Sequence, residues 1–320
     1  VACFFTGHPV DVATGKLVTS AIDAELPGPL PFRFERVYHS SFAARPSPLG
    51  HGWSHSLDQA VWEERGKVVL LDEEGREVEL DTFDLPGRAL AVGEEAFQPI
   101  DRLTFRREAR GAWRGPADGT RREFAPVPGR ADGRAMIRRM VSRDGHHEML
   151  FDYDARGRLE WVRDASRRLI GLEHDARDRL VALKLPLAHE RGFYVHRRFE
   201  HDAEGDLVRV TDSAGSAWRF EYVTHLMVRE TDRVGLSFYF EYDGLGEDAW
   251  CTRTWGDGGI YDHVIRYDKK NHVTYVTDSR GHTTQYHMNA AAMVVAVVDP
   301  LGARTENEDD MESRRGVGET

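Results

Sequence analysis

An internal repeat constrains the fold of this chain more than any other feature of its sequence. From residue 150 onward, short segments that end on an aromatic residue or a histidine recur every 19 to 27 positions, as in Phe151-Asp152-Tyr153 and Phe240-Glu241-Tyr242. A period of roughly 22 residues indicates an array of small units that must stack on one another to bury their apolar faces. The seven residues that end these segments, which we call the anchors, are Tyr153, His174, His201, Tyr222, Tyr242, Tyr267 and Tyr286.

Each unit has the sequence of one β-hairpin. The anchor leads into a polar turn with glycine at its fifth position, as at Gly157 and Gly205, which predicts a backbone with positive φ. Asp178 and Asn271 replace this glycine in two units, and both residue types tolerate the left-handed region better than most. Two strands of about six residues and two turns of about four fill the period. An aspartate follows the anchor in five units, at Asp154, Asp175, Asp202, Asp243 and Asp268.

The rest of the sequence extends this prediction over the whole chain. Residues 1–130 lack the period, but short alternating or apolar stretches such as Lys67–Leu71 are separated by turn residues. We therefore predict an all-β fold of antiparallel hairpins with less than about a fifth helix. An N-terminal β-region would occupy residues 1–130 and the hairpin repeats residues 131–302. Residues 303–320 have almost no large apolar side chains, which predicts a disordered or truncated tail.

Charge and hydropathy argue against several kinds of partner. The chain has 54 acidic and 43 basic residues and a formal net charge of −11, whereas nucleic acids and anionic membranes attract a basic surface. The longest apolar run, Ala290–Val298, is far shorter than the roughly 20 residues of a membrane-spanning helix. The chain opens on Val1 without a signal peptide, so we expect an interior piece of a longer protein. The two cysteines, Cys3 and Cys251, predict free thiols rather than a single bridge.

Candidate metal-binding and catalytic residues have structural interpretations that we favour. His51 and His55 have the i, i+4 spacing of a helical zinc pair, but the flanking glycines indicate a turn. His146-His147 precede a predicted strand, in which their side chains would point to opposite faces. Asp72-Glu73-Glu74 could supply the carboxylates of a glycosidase, but this segment lies in a predicted hairpin turn. We predict no catalytic, metal-binding or cofactor-binding residues.

A second function stays open at this point. The chain has seven tryptophans and ten tyrosines, and a carbohydrate-binding surface module, or less plausibly a glycosidase, would use aromatic faces to stack on sugars. Aromatic residues at a fixed phase of a repeat are more typical of packing between neighbouring strands. The sequence contains none of the Gly-x-Ser-x-Gly, P-loop or Gly-x-Gly-x-x-Gly motifs, so we predict that the chain is not an enzyme.

The repeat resembles that of a known family. The segment Tyr153-Asp154-Ala155-Arg156-Gly157-Arg158-Leu159 resembles the YD repeat of the Rhs family, whose relatives include the teneurins and the C components of insecticidal toxin complexes. The N-terminal stretch is similar to the start of bacterial Rhs cores, and the resemblance covers roughly residues 3 to 302. It is carried by residues 7–17, 26–31, 36–40 and 48–53, which we call the N-terminal motif and which include Pro48. The characteristic residues of this motif are Gly7, Pro9, Val10, Thr14, Gly15, Pro27, Gly28, Arg36, Tyr38, Ser40, Gly50, Gly52 and Trp53.

The resemblance implies a spiralling β-sheet that forms part of a hollow shell around a C-terminal toxin. The chain would then be a structural segment of a polymorphic toxin used in bacterial competition, typically a type VI secretion effector. The implied partners are the rest of the shell, the toxin domain, the VgrG and PAAR proteins of the secretion spike, and a chaperone. The protein would be made in the bacterial cytoplasm and exported by contact-dependent delivery. Asp299-Pro300-Leu301-Gly302 shares four letters with the family's self-cleavage motif, but it falls in the phase of a repeat turn.

The area of sheet limits what this chain could enclose. If half of the residues are in strands, they tile on the order of 2,600 Å², which closes into a sphere with an inner radius of about 9 Å. A folded domain of about 100 residues has a hard radius near 17 Å, so the chain would form part of a wall. We place the open edge of this wall near Tyr286–Val298, where it would drive self-association of the isolated piece.

Overall fold

The computed structural model describes residues 5–6, 9–82, 89–98, 102–117, 119–188 and 191–306. Strands account for 54% of the chain and helix for 3%, which confirms the all-β prediction. The chain divides into two compact units, and we describe each separately. Unit 1 comprises residues 1–19, 38–45 and 217–320, and unit 2 comprises residues 20–37 and 46–216. These units follow spatial contacts, so the division at residue 130 stays a prediction. Two residues of the sequence analysis, Cys3 and Gly7, lie outside the described residues.

The strands are short and follow one another with little between them. The N-terminal strands are β1 Phe5–Thr6, β2 Val10–Asp11, β3 Val18–Leu26, β4 Phe32–His39, β5 Trp53–His55, β6 Ala60–Glu64, β7 Lys67–Leu71, β8 Glu77–Thr82, β9 Glu95–Gln98, β10 Leu103–Arg107, β11 Trp113–Ala117, β12 Thr120–Pro126 and β13 Ala135–Val141. The repeat strands of unit 2 are β14 Glu148–Tyr153, β15 Leu159–Arg163, β16 Leu169–His174, β17 Leu180–Pro186, β18 Phe193–His201 and β19 Leu207–Asp212. Those of unit 1 are β20 Ala217–Val223, β21 Leu226–Thr231, β22 Ser237–Tyr242, β23 Cys251–Gly256, β24 His263–Asp268, β25 Val273–Thr277, β26 Thr283–Met288, β27 Val294–Val298 and β28 Arg304–Glu306. Three short 3₁₀ helices span Ser40–Phe42, Ala109–Gly111 and Asp257–Gly259.

Unit 2 contains a closed ring of eight antiparallel strands. Each strand from β6 to β13 pairs with the next one along the chain. The ring closes because the first residues of β13 pair with β6, Ala135 opposite Val61 and Met136 opposite Ala60. The last residues of β13, Arg139–Val141, pair instead with β14. The edge of β13 is therefore shared, and the repeats leave the ring at this strand.

The repeats form hairpins that close at their anchors. Within unit 2 the anchor Tyr153 pairs with Leu159, and His174 and His201 pair in the same way with the leucine after their turns. The ladder shifts register between each of these anchors and the residue before it, which is a β-bulge, and Tyr222 and Tyr242 in unit 1 repeat this geometry. The predicted one-hairpin unit is thus observed.

The core of the repeats lies beside the anchors rather than at them. The residue two positions before the anchor is at most 3% exposed in six units, at Phe151, Leu172, Phe199, Phe220, Phe240 and Ile265. The first strand residue after each turn is buried as well, at Leu159, Leu180, Leu207, Leu226, Cys251, Val273 and Val294. All seven anchors are only partly buried. Side chains alternate between the two faces of a strand, but the ladder shifts register just before the anchor, so the anchor is less buried than the residue two positions before it.

The edge predicted at Tyr286–Val298 is wrong. Within unit 1, β27 lies between β26 and β28 and pairs with both. Residues Ala290–Met293, the first part of the apolar run, form a turn because the side chain of Asn289 accepts hydrogen bonds from the backbone of Ala291 and Met293. Of the predicted tail, Arg304–Glu306 forms β28, and residues 307–320 lie outside the described residues.

Candidate functional site

The aspartate after the anchor organises the first turn of each repeat. The carboxylate oxygen Oδ1 of Asp154 accepts hydrogen bonds from the backbone N–H groups of Arg156 (2.9 Å) and Arg158 (3.0 Å). Asp175 accepts two equivalent bonds from Arg177 and Arg179, and Asp202 accepts two from Glu204 and Asp206. One side chain thus satisfies two donors that the turn leaves unpaired. This explains why the repeat needs aspartate after its anchor.

An arginine four residues later connects one turn to the next. In the first repeat, Arg158 donates from Nε to Asp154 Oδ2 (2.7 Å) and from Nη1 to the carbonyl of Asp175 in the following turn (3.2 Å). Arg179 likewise donates to Asp175 Oδ2 (2.8 Å) and to the carbonyl of Asp202 (3.1 Å). Burial acts to raise the pKa of Asp175, but the hydrogen bonds from Arg179 outweigh it and hold this pKa below its usual value. No role for these arginines was predicted, although their i+4 spacing from the aspartates is visible in the sequence.

The backbone of the first turns follows the predicted chemistry with one exception. Gly157 and Gly205 have positive φ, and Asp178 stands in for glycine at φ 64°. The prediction for Asn271 is wrong by one residue, because His272 takes the positive φ of 54°. In that turn Asp268 binds both the backbone and the side chain of Asn271. The β24–β25 hairpin therefore pairs Asp268 directly with Val273, without the bulge of the other units.

The second turns use the same carboxylate device. Asp212 and Asp232 each accept from the backbone two and four residues later. Asp278 does the same, and Asp299 accepts from Leu301 (2.9 Å) and Ala303 (2.8 Å). Gly302 has a positive φ of 89°. The segment Asp299-Pro300-Leu301-Gly302 therefore has the geometry of a repeat turn.

In unit 1 the N-terminal motif lies on the first turns of the repeats. The carbonyl of Gly15 accepts from the backbone N–H of Cys251 (2.8 Å), and a Cβ at Gly15 would stand 2.5 Å from the indole of Trp250. Lys16 donates from Nζ to the carbonyls of Glu247 (2.7 Å) and Ala249 (3.0 Å). Only glycine can bring the backbone this close to the ring, which gives the motif glycine a physical reason.

The motif tyrosine, Tyr38, binds the first turn of another repeat in unit 1. The hydroxyl of Tyr38 donates to the carbonyl of His225 (2.9 Å) and accepts from the backbone N–H of Met227 (2.9 Å), and its ring packs 6.2 Å from that of Tyr222. Ser40 holds this segment in place through a pair of hydrogen bonds with Leu17. The remaining motif residues of unit 1 shape the hairpin that precedes Gly15: Pro9 accepts from Val18, Val10 bridges to Leu17, and Thr14 donates to Asp11.

In unit 2 the motif makes equivalent contacts. The carbonyl of Pro48 accepts from the backbone N–H of Leu180 (2.7 Å), the residue that follows the second repeat turn. Gly50 has φ 112°, and a Cβ there would lie 2.9 Å from the carbonyl oxygen of Gly205 and from the nitrogen of Leu207. Gly129, which lies outside the motif, comes even closer to the turn at Ala155. The carbonyl of Pro27 accepts from Arg168 (2.6 Å), beside which Gly28 faces Ser166.

A buried ion pair anchors the motif in unit 2. The guanidinium of Arg36 is 1% exposed and binds the carboxylate of Asp23, which is fully buried. Arg197, on repeat strand β18, donates to the same oxygen of Asp23 (3.3 Å). Arg36 also lies 5.8 Å from the ring centroid of Trp53, at a bend where Gly52 has φ 73°. Removing one partner of a buried pair leaves an uncompensated buried charge, which is strongly destabilising. The cluster therefore holds this part of the motif in one position.

The anchor side chains also reach the backbone of neighbouring strands. The hydroxyl of Tyr242 donates to the carbonyl of Met227 (2.8 Å), and that of Tyr267 donates to the carbonyl of Cys251 (2.5 Å). Trp250 donates from its backbone to Asp243 (2.7 Å), next to the first of these tyrosines. Burial raises the pKa of the half-buried Tyr286. These contacts make the aromatic anchors hydrogen-bonding as well as packing residues.

Histidine occupies the anchor position in two repeats of unit 2. Burial is the first cause that lowers the pKa of His174, to about 4, and the neighbouring His55 and Arg158 lower it further. Burial also lowers the pKa of His201. Both rings are therefore neutral at pH 7.

The candidate residues for metal and acid chemistry lie in structural positions. His55 is buried and stacks on Phe34 with ring centroids 5.1 Å apart, while His51 lies 3.4 Å from a carboxylate oxygen of Asp206. Asp72 caps its turn by accepting from the backbone of Glu74 and Arg76.

The remaining candidates are an exposed loop and a buried thiol. His146 donates from its backbone to Asp144 in the loop before β14. Cys251 is a buried free thiol, and burial raises its pKa to about 12.

Comparison with known families separates the same two regions. Residues 7–80 match a family described as "Domain of unknown function (DUF6531)", and residues 201–237 match the family described as "RHS Repeat". The first range holds the N-terminal motif, and the second begins at the anchor His201. The second match confirms the predicted resemblance to the Rhs/YD-repeat family.

Two relatives of this chain are named as a toxin protein and as a probable deoxyribonuclease. It is 26% identical over 357 residues to the toxin protein Tse5 of Pseudomonas aeruginosa, an alignment that covers 96% of this chain and 26% of the relative. It is also 26% identical over 326 residues to the probable deoxyribonuclease RhsB of Dickeya dadantii, covering 96% of this chain and 20% of the relative. The chain thus spans about a quarter of the length of these relatives or less.

Solved structures give a weaker match to this chain. The crystal structure of TcdB2-TccC3-Cdc42 aligns at 10% identity with a TM-score of 0.30, over 90% of this chain and 22% of the other. Within the described residues, no helix is long and apolar enough to span a membrane.

Proposed function

We propose that this chain is a structural segment of the shell of a bacterial Rhs toxin, in which the N-terminal motif fastens a row of repeat hairpins. The observation that carries this proposal is found in each unit. Motif residues bind the first turns directly, with Gly15 on Cys251 in unit 1 and Pro48 on Leu180 in unit 2. A turn that is hydrogen-bonded both to its own aspartate and to the motif cannot open independently of its neighbours. The hairpins would therefore behave as one sheet.

The motif and anchor residues are structural on this proposal. Their polar atoms are directed at the backbone of neighbouring turns and strands, as Tyr38 and Tyr242 illustrate. The chain itself would be non-catalytic, and residues 1–130, 131–302 and 303–320 would be its N-terminal region, repeats and tail. Relatives named as a toxin and a probable deoxyribonuclease support a role as carrier for an activity encoded elsewhere in the protein.

The finer features of the proposal come from the family. The shell would spiral around a C-terminal toxin domain and keep it enclosed until delivery to another bacterium by type VI secretion. The remainder of the shell, a VgrG or PAAR spike and a chaperone would be its partners, and the protein would leave the cytoplasm in which it is made. If the toxin domain is enclosed, it should resist proteases, because the shell would shield it.

Limited proteolysis of the complete toxin protein tests this proposal. The variant replaces the three turn aspartates with alanine (Asp154→Ala, Asp175→Ala, Asp202→Ala), and the matched control replaces the same residues with asparagine, which keeps the accepting oxygen. We expect the downstream toxin region to resist trypsin in the parent and in the asparagine control, and to be cut rapidly in the alanine variant. Cutting of this region in the parent at the rate of the isolated toxin domain would contradict enclosure. A specific ligand in a glycan array would instead support the carbohydrate-binding alternative.

A further inference from the structure

A polar cavity lies at the first anchor of unit 2, where the repeats leave the ring. Its volume is about 250 Å³. Among the residues that line it are His55 and Asp58 from the N-terminal region, Met136 from β13, and Tyr153, Leu159 and His174 from the first two repeats. The cavity therefore combines apolar walls with several groups that form hydrogen bonds.

Two buried polar atoms of this cavity have no hydrogen-bond partner among the described residues. They are the hydroxyl oxygen of Tyr153 and Nδ1 of His55, whose side chain is only 3% exposed. The equivalent anchors Tyr242 and Tyr267 donate their hydroxyls to backbone carbonyls instead. Buried polar groups in folded proteins nearly always have a partner, so the first anchor differs from its counterparts in a way that points to a ligand.

Each of the three arginines that line the cavity forms an ion pair. Arg130 pairs with Asp132 at 2.5 Å, Arg156 with Asp178 at 2.9 Å, and Arg158 with Asp154 at 2.6 Å. The carboxylate of Asp58, in contrast, forms no ion pair or side-chain hydrogen bond within the described part of the chain. Burial first, and then the charge of Asp58, raise the pKa of Tyr153, while Arg138 and Arg130 act in the opposite direction. Among the described residues, Asp58 is therefore the lining carboxylate that lacks an ion pair.

The groups that remain free are all able to accept hydrogen bonds. Burial lowers the pKa of His55, so its ring is neutral at pH 7 and one ring nitrogen keeps a lone pair. The tyrosine hydroxyl and the carboxylate of Asp58 are acceptors as well. A group with three donors and one positive charge would satisfy all three acceptors and the charge together.

We propose that this cavity binds a primary ammonium group on an alkyl chain, carried either by a small alkylamine or by the side chain of a lysine. The ammonium would lie among Asp58, the hydroxyl of Tyr153 and Nδ1 of His55, since an –NH₃⁺ group has three donors and no acceptor. Met136 and Leu159, both buried, would contact the alkyl chain. This inference stands independently of the shell function, because it rests only on the lining of one cavity.

Isothermal titration calorimetry of residues 1–320 with n-butylamine at pH 7 tests the proposal, with n-butanol as the uncharged probe of the same shape. We expect saturable one-to-one binding of the amine and none of the alcohol. Asp58→Asn and Tyr153→Phe should each weaken amine binding at least tenfold, and Tyr153→Phe leaves the fold intact because its hydroxyl has no partner to lose. Glu160→Gln, at an exposed residue of β15, is the matched control and should bind as the parent does.

The source of the ammonium group is distinguished by a second probe. If Nα-acetyl-lysine N-methylamide binds as tightly as n-butylamine, a lysine of a polypeptide is the ligand. If only n-butylamine binds, the ligand is a small amine; both results support the ammonium site. The proposal is overturned if the amine does not bind, if the alcohol binds equally well, or if Tyr153→Phe binds the amine like the parent protein.

Discussion

At the scale of single residues, the repeat is determined by how each turn satisfies its backbone. The anchor, the aspartate after it and the glycine three residues beyond that aspartate have separate tasks. The anchor ends the strand at a bulge, the aspartate accepts two backbone hydrogen bonds, and the glycine adopts positive φ. In the hairpin of β26 and β27, Met288 ends the strand at the bulge, two residues after Tyr286. Asn289 then performs the task of aspartate, and Ala292 at φ 56° takes the place of glycine. The accepting oxygen is therefore the essential feature of this position, not the negative charge.

The role of the turn aspartate gives a direct prediction. Asp175→Ala removes the acceptor for the N–H groups of Arg177 and Arg179, so we expect the free energy of unfolding to fall by about 1–3 kcal/mol. Asp175→Asn keeps that acceptor and should cost less than half as much, because partly exposed ion pairs such as that with Arg179 contribute little. Urea unfolding monitored by fluorescence measures both changes. Equal losses in the two variants would mean that charge, not the accepting oxygen, matters.

Close approach of the motif to a turn gives a second prediction. Gly50→Ala places a Cβ 2.9 Å from two backbone atoms of the turn at Gly205 and also forces alanine to positive φ. Gly215 has positive φ but no atom within 4 Å of a Cβ, so Gly215→Ala carries only the conformational cost of about 1–2 kcal/mol. We expect the loss of thermal stability to be clearly larger for Gly50→Ala. Similar losses would show that the motif does not press on this turn.

Two tyrosine anchors, Tyr267 and Tyr153, differ in whether their hydroxyl forms a hydrogen bond within the described residues. Tyr267→Phe loses the hydrogen bond to the carbonyl of Cys251 and should lower the free energy of unfolding by about 0.5–1.5 kcal/mol. Tyr153→Phe loses no hydrogen bond within the described residues and should leave stability unchanged or raise it. Chemical denaturation of the two variants checks this contrast. A cost at Tyr153 equal to that at Tyr267 would show that its hydroxyl has a partner within the fold.

At the scale of the hairpin, anchors of different chemistry give the repeats different responses to pH. The folded-state pKa of His174 is about 4, below the unfolded value of 6.5, so the unfolded chain binds more protons between these values. Stability is then complete above pH 6.5 and is lost as the pH falls toward 4. Hairpins with a tyrosine anchor lack this dependence.

This difference predicts an acid-dependent gain on replacing the histidine. His174→Tyr introduces the anchor found in other repeats, and its stability relative to the parent should increase steadily as the pH falls from 7 to 4.5. The control is His146→Gln, which alters an exposed histidine in the loop before β14 and should show no such trend. Thermal melts at a series of pH values provide the measurement. Parallel curves for parent and His174→Tyr would contradict the predicted protonation.

Hairpins also show how far the sequence alone could lead. The repeat period, the one-hairpin unit and the positive φ at Gly157 are local properties of a few adjacent residues, and the sequence predicts them correctly. Closure of the ring by β13 on β6 depends on pairing between Ala135 and Val61, which no local pattern reveals. The open edge was misplaced because Ala290–Val298 looks like one apolar strand, whereas Asn289 caps a turn inside it.

For the candidate site, too, the sequence predicts some features and not others. The sequence indicated which residues form the N-terminal motif, since they occur in the same order as at the start of bacterial Rhs cores. It did not indicate what they touch, because Gly15 meets Trp250 across more than two hundred residues. The role of Arg158 was missed although the residue lies within the quoted repeat, since its second hydrogen bond goes to a different turn.

At the scale of the whole molecule, each unit combines hairpins that are alike with an N-terminal segment that binds their turns. Each hairpin buries its apolar face only against its neighbours, and its turn is the part that would open first. The N-terminal motif supplies hydrogen bonds at that position, through Gly15 and Tyr38 in unit 1 and Pro48 in unit 2. In our account this fastening converts a row of hairpins into a stable wall.

Hydrogen–deuterium exchange of residues 1–320 tests this account most directly. The backbone N–H groups of Leu180, Met227 and Cys251 donate to the N-terminal motif, and they stand at the turn ends of their hairpins. We predict that these three amides exchange as slowly as the amides at the centres of the repeat strands. If instead they exchange at the rate of exposed turn amides while the strand centres stay protected, the N-terminal motif does not fasten the repeats and the account is wrong.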